Sequence, residues 1–145
     1  MYSTEIFFVN NKMLEIPKGV YRYNVYTFQL ELIKEIKTEE EMNNLYLIFM
    51  KTPGKNQTTD FENASGFVIF SSIFNKHSFK YKDFGILLSL VENGEFIHAA
   101  YLACAALEIG CCIYGGLLSD KMNDYLDLRN PLHLPLTYMT IGNKK

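Results

Sequence analysis

The spacing of apolar and polar residues changes repeatedly along this chain, and each change predicts a different element. Residues 5–10 (EIFFVN) are an aromatic and β-branched run ending at Asn10-Asn11, which predicts a buried strand and then a turn. Pro17-Lys18-Gly19 marks a second turn. Residues 20–23 and 26–33 then alternate apolar and polar positions, the period of a half-buried hairpin, with Phe28, Leu30 and Leu32 on one face. Thr38 followed by Glu41 fits a capping box, and Glu39, Glu40 and Glu41 suit the positive end of a helix dipole. A helix over 38–49 is therefore expected, with Leu45, Leu47, Ile48 and Phe49 as its apolar face. Residues 51–63 are polar, contain Pro53-Gly54, and predict a loop.

Residues 66–73 (GFVIFSSI) form a continuous apolar run of strand length, the pattern of a central strand covered on both faces. The most strongly patterned segment is 84–110. There Leu87, Leu90, Val91, Gly94, Ile97, Tyr101, Cys104, Ala105 and Glu108 recur at three- and four-residue steps, so a long helix is expected, capped by Gly110. Its small residues, Gly94, Ala99, Ala100 and Ala105, suit close approach of a second subunit. Residues 111–114 read as a short strand, Gly115-Gly116 as a turn, and Ser119 as the cap of a helix running to about residue 126 with Asp120 in its first turn. Pro131 and Pro135 bracket a loop, and 136–141 (LTYMTI) is a last strand ending at Gly142. Strands and helices mix without a βαβ rhythm, which predicts an α+β fold in one domain over 1–145 rather than a doubly wound sheet.

Composition narrows the function classes. Hydrophobic residues make up 48% of the 145, enough for a core. A net charge of −2, from 14 basic and 16 acidic residues, gives no electrostatic reason to expect nucleic acid or an anionic membrane. No secretory signal or membrane span is visible, and a cytoplasmic location is expected. Cys104, Cys111 and Cys112 are an odd number without a CxxC pair, so reduced, mostly buried thiols are expected and a zinc site is not. His77 and His133 read as loop residues with no metal-ligand spacing, and His98 as a packing residue. Glu92 and Glu95, one helical turn apart, read as a solvated face.

The order of several short motifs is similar to that of SagB-type dehydrogenases of the nitroreductase superfamily. Tyr2-Ser3-Thr4-Glu5 resembles the end of the family's PSxGxLYPLE segment, and 16–23 (IPKGVYRY) its LPPGVYRYD hairpin. Lys80-Tyr81 resembles the family's Lys-Tyr pair, Glu92-Asn93-Gly94 its Glu-Ala-Gly, and 101–110 (YLACAALEIG) its LLAAAALGLG. Gly115-Gly116-Leu117 stands where the family has Gly-Gly-Phe, 125–128 (YLDL) where it has LLGLD, and 135–142 (PLTYMTIG) where it has PLYLLPVG. His98-Ala99 replaces a family Gln-Asn, and a family arginine is replaced near Leu87.

The resemblance implies a truncated nitroreductase-like fold, a mostly antiparallel sheet packed on a long central helix. It implies an FMN-dependent oxidation of thiazolines and oxazolines to thiazoles and oxazoles in peptide natural products. Lys80 and Tyr81 are then the catalytic residues that remove a proton from the azoline, while Gly115, Gly116 and Leu117 approach the flavin. A lysine acts as a base only where burial or a neighbouring cation lowers its pKa. Read without the resemblance, Lys80-Tyr81 is an exposed pair in a lysine-rich stretch. The family's N-terminal Arg-Arg-Ser-type segment, which grips the FMN phosphate, and its Pro-Ser-Gly loop have no counterpart, because the match begins just after that loop. Only Arg22 and Arg129 are arginines. A partial domain is therefore expected, completed as a homodimer or in a complex with another biosynthetic subunit. The alternative is a flavin-less relative serving as a scaffold, peptide-binding or regulatory subunit.

Overall fold

The computed structural model describes residues 2–49 and 60–143. Their architecture is α+β, a six-stranded antiparallel sheet with a long central helix. The first strand, β1 (Thr4–Asn10), pairs with β2 (Gly19–Asn24), which pairs with β3 (Gln29–Glu35). Helix α1 (Glu39–Ile48) follows, then strand β4 (Gly66–Ile73). Two helices come next, α2 (Phe74–Tyr81) and α3 (Phe84–Ala106). Strand β5 (Ile109–Tyr114), helix α4 (Ser119–Tyr125) and strand β6 (His133–Asn143) complete the chain, and the sheet order is β3-β2-β1-β4-β6-β5.

The apolar run of β4 is central as its pattern predicts, hydrogen-bonded to β1 on one side and β6 on the other. One face of the sheet carries Phe7, Val9, Val20, Phe67, Ile69 and Tyr138, which pack with α1 and α4. Strand alternation turns Phe8, Phe70 and Met139 to the opposite face, where α3 lies across β1, β4 and β5. The capping box of α1 forms as expected: Glu41 N–H donates to Thr38 Oγ1, and the Glu41 carboxylate accepts from Thr38 N–H. Thr38→Ala should therefore lower stability by about 1 kcal/mol, read as a shift of the urea midpoint. A loss below about 0.3 kcal/mol would mean the cap contributes nothing measurable.

Several sequence expectations need correction. Met42, Leu45, Tyr46 and Ile48 form the buried face of α1, continued by Phe49, whereas Leu47 points outward. Phe28 is not on the hairpin's strand face; it lies in the turn at φ 56°, and β3 starts one residue later. The long helix stops at Ala106, the left-handed residue after it is Glu108 (φ 59°), and Gly110 already pairs with Gly142 inside β5. Ser119 does not cap α4: Leu118 holds that position, and the Ser119 hydroxyl donates to the Pro135 carbonyl. Pro135 is not in a loop, because β6 begins at His133. A register shift between Phe70 and Ser71 opposite it accommodates a residue with no N–H. Cys104 and Cys111 are only half-buried and Cys112 is exposed, so the thiols are not core residues. Most of the loop expected over 51–63 lies outside the described residues; its end is a turn that buries Phe61.

Helix α2 was not legible from the pattern at all. Its eight residues bury none of their own side chains, and no side chain caps its start. It comes into close contact with α3 at Gly85. A Cβ there would lie 2.4 Å from Ser78 N and 2.5 Å from the His77 carbonyl carbon, so only glycine admits this approach.

Candidate functional site

Lys80 and Tyr81 close helix α2, where Lys82 (φ 54°) turns the chain back towards α3. Both are exposed, Tyr81 by 44%, and the Lys80 ammonium lies 5.2 Å from the centre of the Tyr81 ring. Among the described residues nothing buries the lysine, so any desolvation of its ammonium has to come from another surface.

Gly115 and Gly116 leave the end of β5 as exposed backbone, and a Cβ on Gly115 would meet nothing within 4 Å. Leu117 differs: its side chain belongs to the hydrophobic core, so only its main chain is available to a ligand. Strands β4 and β5 both pair antiparallel with β6, so they run the same way, but β5 ends at Tyr114, opposite Tyr138 and level with Ile69, whereas β4 runs on to Ile73 opposite His133. Helix α2 with Lys80-Tyr81 follows β4, and the Gly115-Gly116 turn follows β5. The two motifs, more than thirty positions apart in the chain, thus leave the sheet in one direction but from different levels of it.

The most heavily bonded ionisable group near the end of β4 is one that the sequence pattern misassigns. Glu92 is not on a solvated face of α3: it is buried, and its carboxylate accepts from several donors. Ser3 N–H lies at 2.8 and 3.1 Å from its two oxygens, Ser3 Oγ at 3.1 Å and Thr4 N–H at 3.1 Å. His77 is in α2 rather than a loop, and its Nε2 lies 3.2 Å from Glu92 Oε2. The other ring nitrogen faces Ser89 Oγ at 3.3 Å. The spacing Ser89–Glu92 is one helical turn, a signal that could have suggested a shared face, but nothing local in the sequence indicates which partners meet it. Glu95 does remain exposed.

A second buried polar group sits at the start of β6. His133, also expected in a loop, places Nε2 2.8 Å from Ser71 Oγ and 3.9 Å from Glu5 Oε2. Burial pushes its imidazole below the ordinary 6.5, against the opposing pull of Glu5. Ser71 Oγ donates to the Glu5 carbonyl at 3.0 Å, so it accepts from His133 rather than giving up its proton. This pair is therefore a structural tie and not an activated serine.

The fit to FMN is partial. The exposed Gly115-Gly116 backbone suits the approach of a flat ring. The phosphate is another matter, since Arg22 is 2.8 Å from Glu5 and Arg129 is 3.2 Å from Asp127. Both guanidinium groups are engaged by carboxylates, in pairs that are partly or largely exposed. Among the described residues each arginine thus faces a carboxylate rather than standing free for a phosphate. Among the described residues there is no group of three His, Cys, Asp or Glu able to hold a metal, and no helix long and apolar enough to cross a membrane.

Residues 1–143 match the sequence family described as the Nitroreductase family. No curated protein matches the chain. Among solved structures, a chain of the E. coli microcin synthetase McbBCD complex with truncated pro-MccB17 bound superposes with a TM-score of 0.81 at 19% identity, covering 99% of this chain and 53% of that one. A putative nitroreductase from Anabaena variabilis gives 0.73 at 16% identity, covering 99% and 27%. One from Ralstonia eutropha gives 0.71 at 18%, covering 100% and 60%. At these identities the likeness is one of fold. The chain spans about half the length of the first of these structures and 60% or less of the other two.

Proposed function

Because this chain belongs to the nitroreductase family, we propose that it is a subunit of an FMN-dependent oxidoreductase of the SagB type, oxidising azoline rings in a peptide to azoles. The observation that supports this reading is that Lys80-Tyr81 on α2 and the open Gly115-Gly116 backbone both follow strands that run in one direction in the sheet of a nitroreductase-family fold. Its fold is also that of a chain in the microcin synthetase complex. FMN, when bound, supplies the two-electron acceptor. The chain's own part is to take the ring proton at Lys80 Nζ, with the Tyr81 hydroxyl orienting the substrate by hydrogen bonding. Such a lysine must be desolvated, and here it is exposed, so a second polypeptide is expected to cover it and to bring the missing phosphate donors.

An absorption spectrum of the purified chain tests this. Alone, with added FMN, it should show no protein-bound flavin; with the complementing subunit it should. In that complex Lys80→Ala should lower kcat by roughly 10²- to 10⁴-fold while the flavin bands stay. Absence of bound flavin in every mixture would favour a second reading, a flavin-less scaffold or regulatory subunit. The paired state of both arginines is the observation on its side.

Helix α3 is the surface we assign to subunit contact, either in a homodimer or with another biosynthetic subunit. Leu87, Leu90, Val91 and Leu102 are each exposed by about half, Ala99 and Ala105 are exposed, and a Cβ on Gly94 would meet nothing within 4 Å. Ala100→Arg should produce monomers or insoluble protein in sedimentation velocity. An assembly that survives this change intact would rule out this interface.

A further inference from the structure

We propose that Glu92 and His77 are positioning residues that set where Lys80 and Tyr81 stand, by locking helix α2 between the start of β1 and the middle of α3. The proposal deepens the reading of Lys80-Tyr81 as the proton-handling pair and rests on it.

Helix α2 lacks the usual means of holding its place. It buries no side chain and has no side-chain N-cap. Gly85 lets its backbone approach α3, but a glycine admits a neighbour without gripping it. The grip is polar. One carboxylate on α3 binds Ser3 and Thr4 of the β1 end and, at 3.2 Å, His77 of α2. Ser89, one turn earlier on α3, meets the other nitrogen of the same ring at 3.3 Å and is itself bonded to the Gly85 carbonyl at 2.9 Å. With both ring nitrogens engaged by α3, the imidazole cannot turn or slide independently of it. Lys80 and Tyr81 follow His77 by three and four positions, so all three share one side of the helix. A shift of His77 is passed directly to the pair.

A solubilising role would not need this arrangement. A glutamate on α3 could stay in water, as Glu95 does, and burying its charge is unfavourable unless it is met by donors. The donors it gathers come from two other elements, and one of those carries the pair.

The test uses the full chain, alone and assembled with the subunit that completes the flavin site, acting on a synthetic thiazoline-containing peptide. His77→Leu removes the ring bonds, and His77→Gln keeps an N–H that can reach Glu92. In the chain alone, amide exchange over residues 78–81 should rise roughly tenfold or more in His77→Leu, with β4 and β6 amides unmoved. In the complex, kcat should fall about 10- to 100-fold with KM changed by less than about threefold, and His77→Gln should recover most of it. A merely structural histidine would not show this kcat-only loss and its rescue by a hydrogen-bonding side chain. Unchanged exchange in α2, or a full kcat in His77→Leu, overturns the proposal. Lys80→Ala in the same assay separates the two claims. If it is inactive while His77→Leu is fully active, positioning fails alone; if it is fully active, the catalytic reading beneath it fails too. Should His77→Leu not fold, Ser89→Ala is read in its place. It frees one side of the ring and should raise α2 exchange severalfold, and unchanged exchange there also overturns the proposal.

Discussion

Phe67→Ala should cost about 4 kcal/mol and bring the protein close to its unfolding threshold. Phe67 sits on the central strand and is fully buried. Its ring centre lies 5.0 Å from that of Phe49, 6.0 Å from Tyr46 and Phe61, and 6.4 Å from Tyr138. Truncation removes apolar area and leaves a cavity that four aromatic rings, held on α1, the turn before β4 and β6, cannot collapse to fill. Edge-on and tilted ring contacts add to the loss beyond the area buried. Equilibrium urea unfolding measures it. A loss under about 1.5 kcal/mol would mean that the cluster repacks, and that the sheet face under α1 and α4 is not the main core.

Glu92→Ala is the second large effect, at about 3 kcal/mol. The substitution leaves Ser3 N–H, Thr4 N–H and the Ser3 hydroxyl buried without their acceptor and frees the His77 ring. Removing one side of a buried hydrogen-bonded charge strands the other side, which is why the expected loss exceeds that of an ordinary hydrogen bond. Glu95→Ala, on the same helix one turn away but exposed, is the control and should stay within about 0.5 kcal/mol of the parent. Equal, small effects at both positions would return Glu92 to the solvated face that the sequence pattern suggests.

These two residues mark the division between what is legible locally and what is not. Phe67 could be placed from the sequence because a strand-length run that is apolar but for two serines has nowhere to go but a strand covered on both faces. Thr38 and Glu41 could be placed because both halves of the capping box lie within one turn. For Glu92 the relevant partners are Ser3 and Thr4, 89 and 88 residues away, and no period along α3 records them. The same holds for His133, whose serine partner is 62 positions distant.

The misplaced boundaries have a similar origin. Gly110 is a good helix terminator by composition, yet pairing of Ile109 with Asn143 draws the chain into the sheet before it. Pro135 would end a strand read alone, but the irregular pairing opposite β4 absorbs it. Leu47 looks like a core residue until the helix is docked with Met42, Leu45 and Tyr46 inward.

The candidate site divides along the same line. The chain's own order of residues provides the Lys80-Tyr81 and Gly115-Gly116 motifs, the α+β alternation and the central apolar strand, because each depends on side chains within a few positions of one another. Only the tertiary structure sends Leu117 into the core, shapes an eight-residue helix with no buried side chain, and buries Glu92. Those outcomes depend on contacts between segments far apart in the chain, and the free energy of such contacts is decided by packing and hydrogen-bond satisfaction rather than by local pattern.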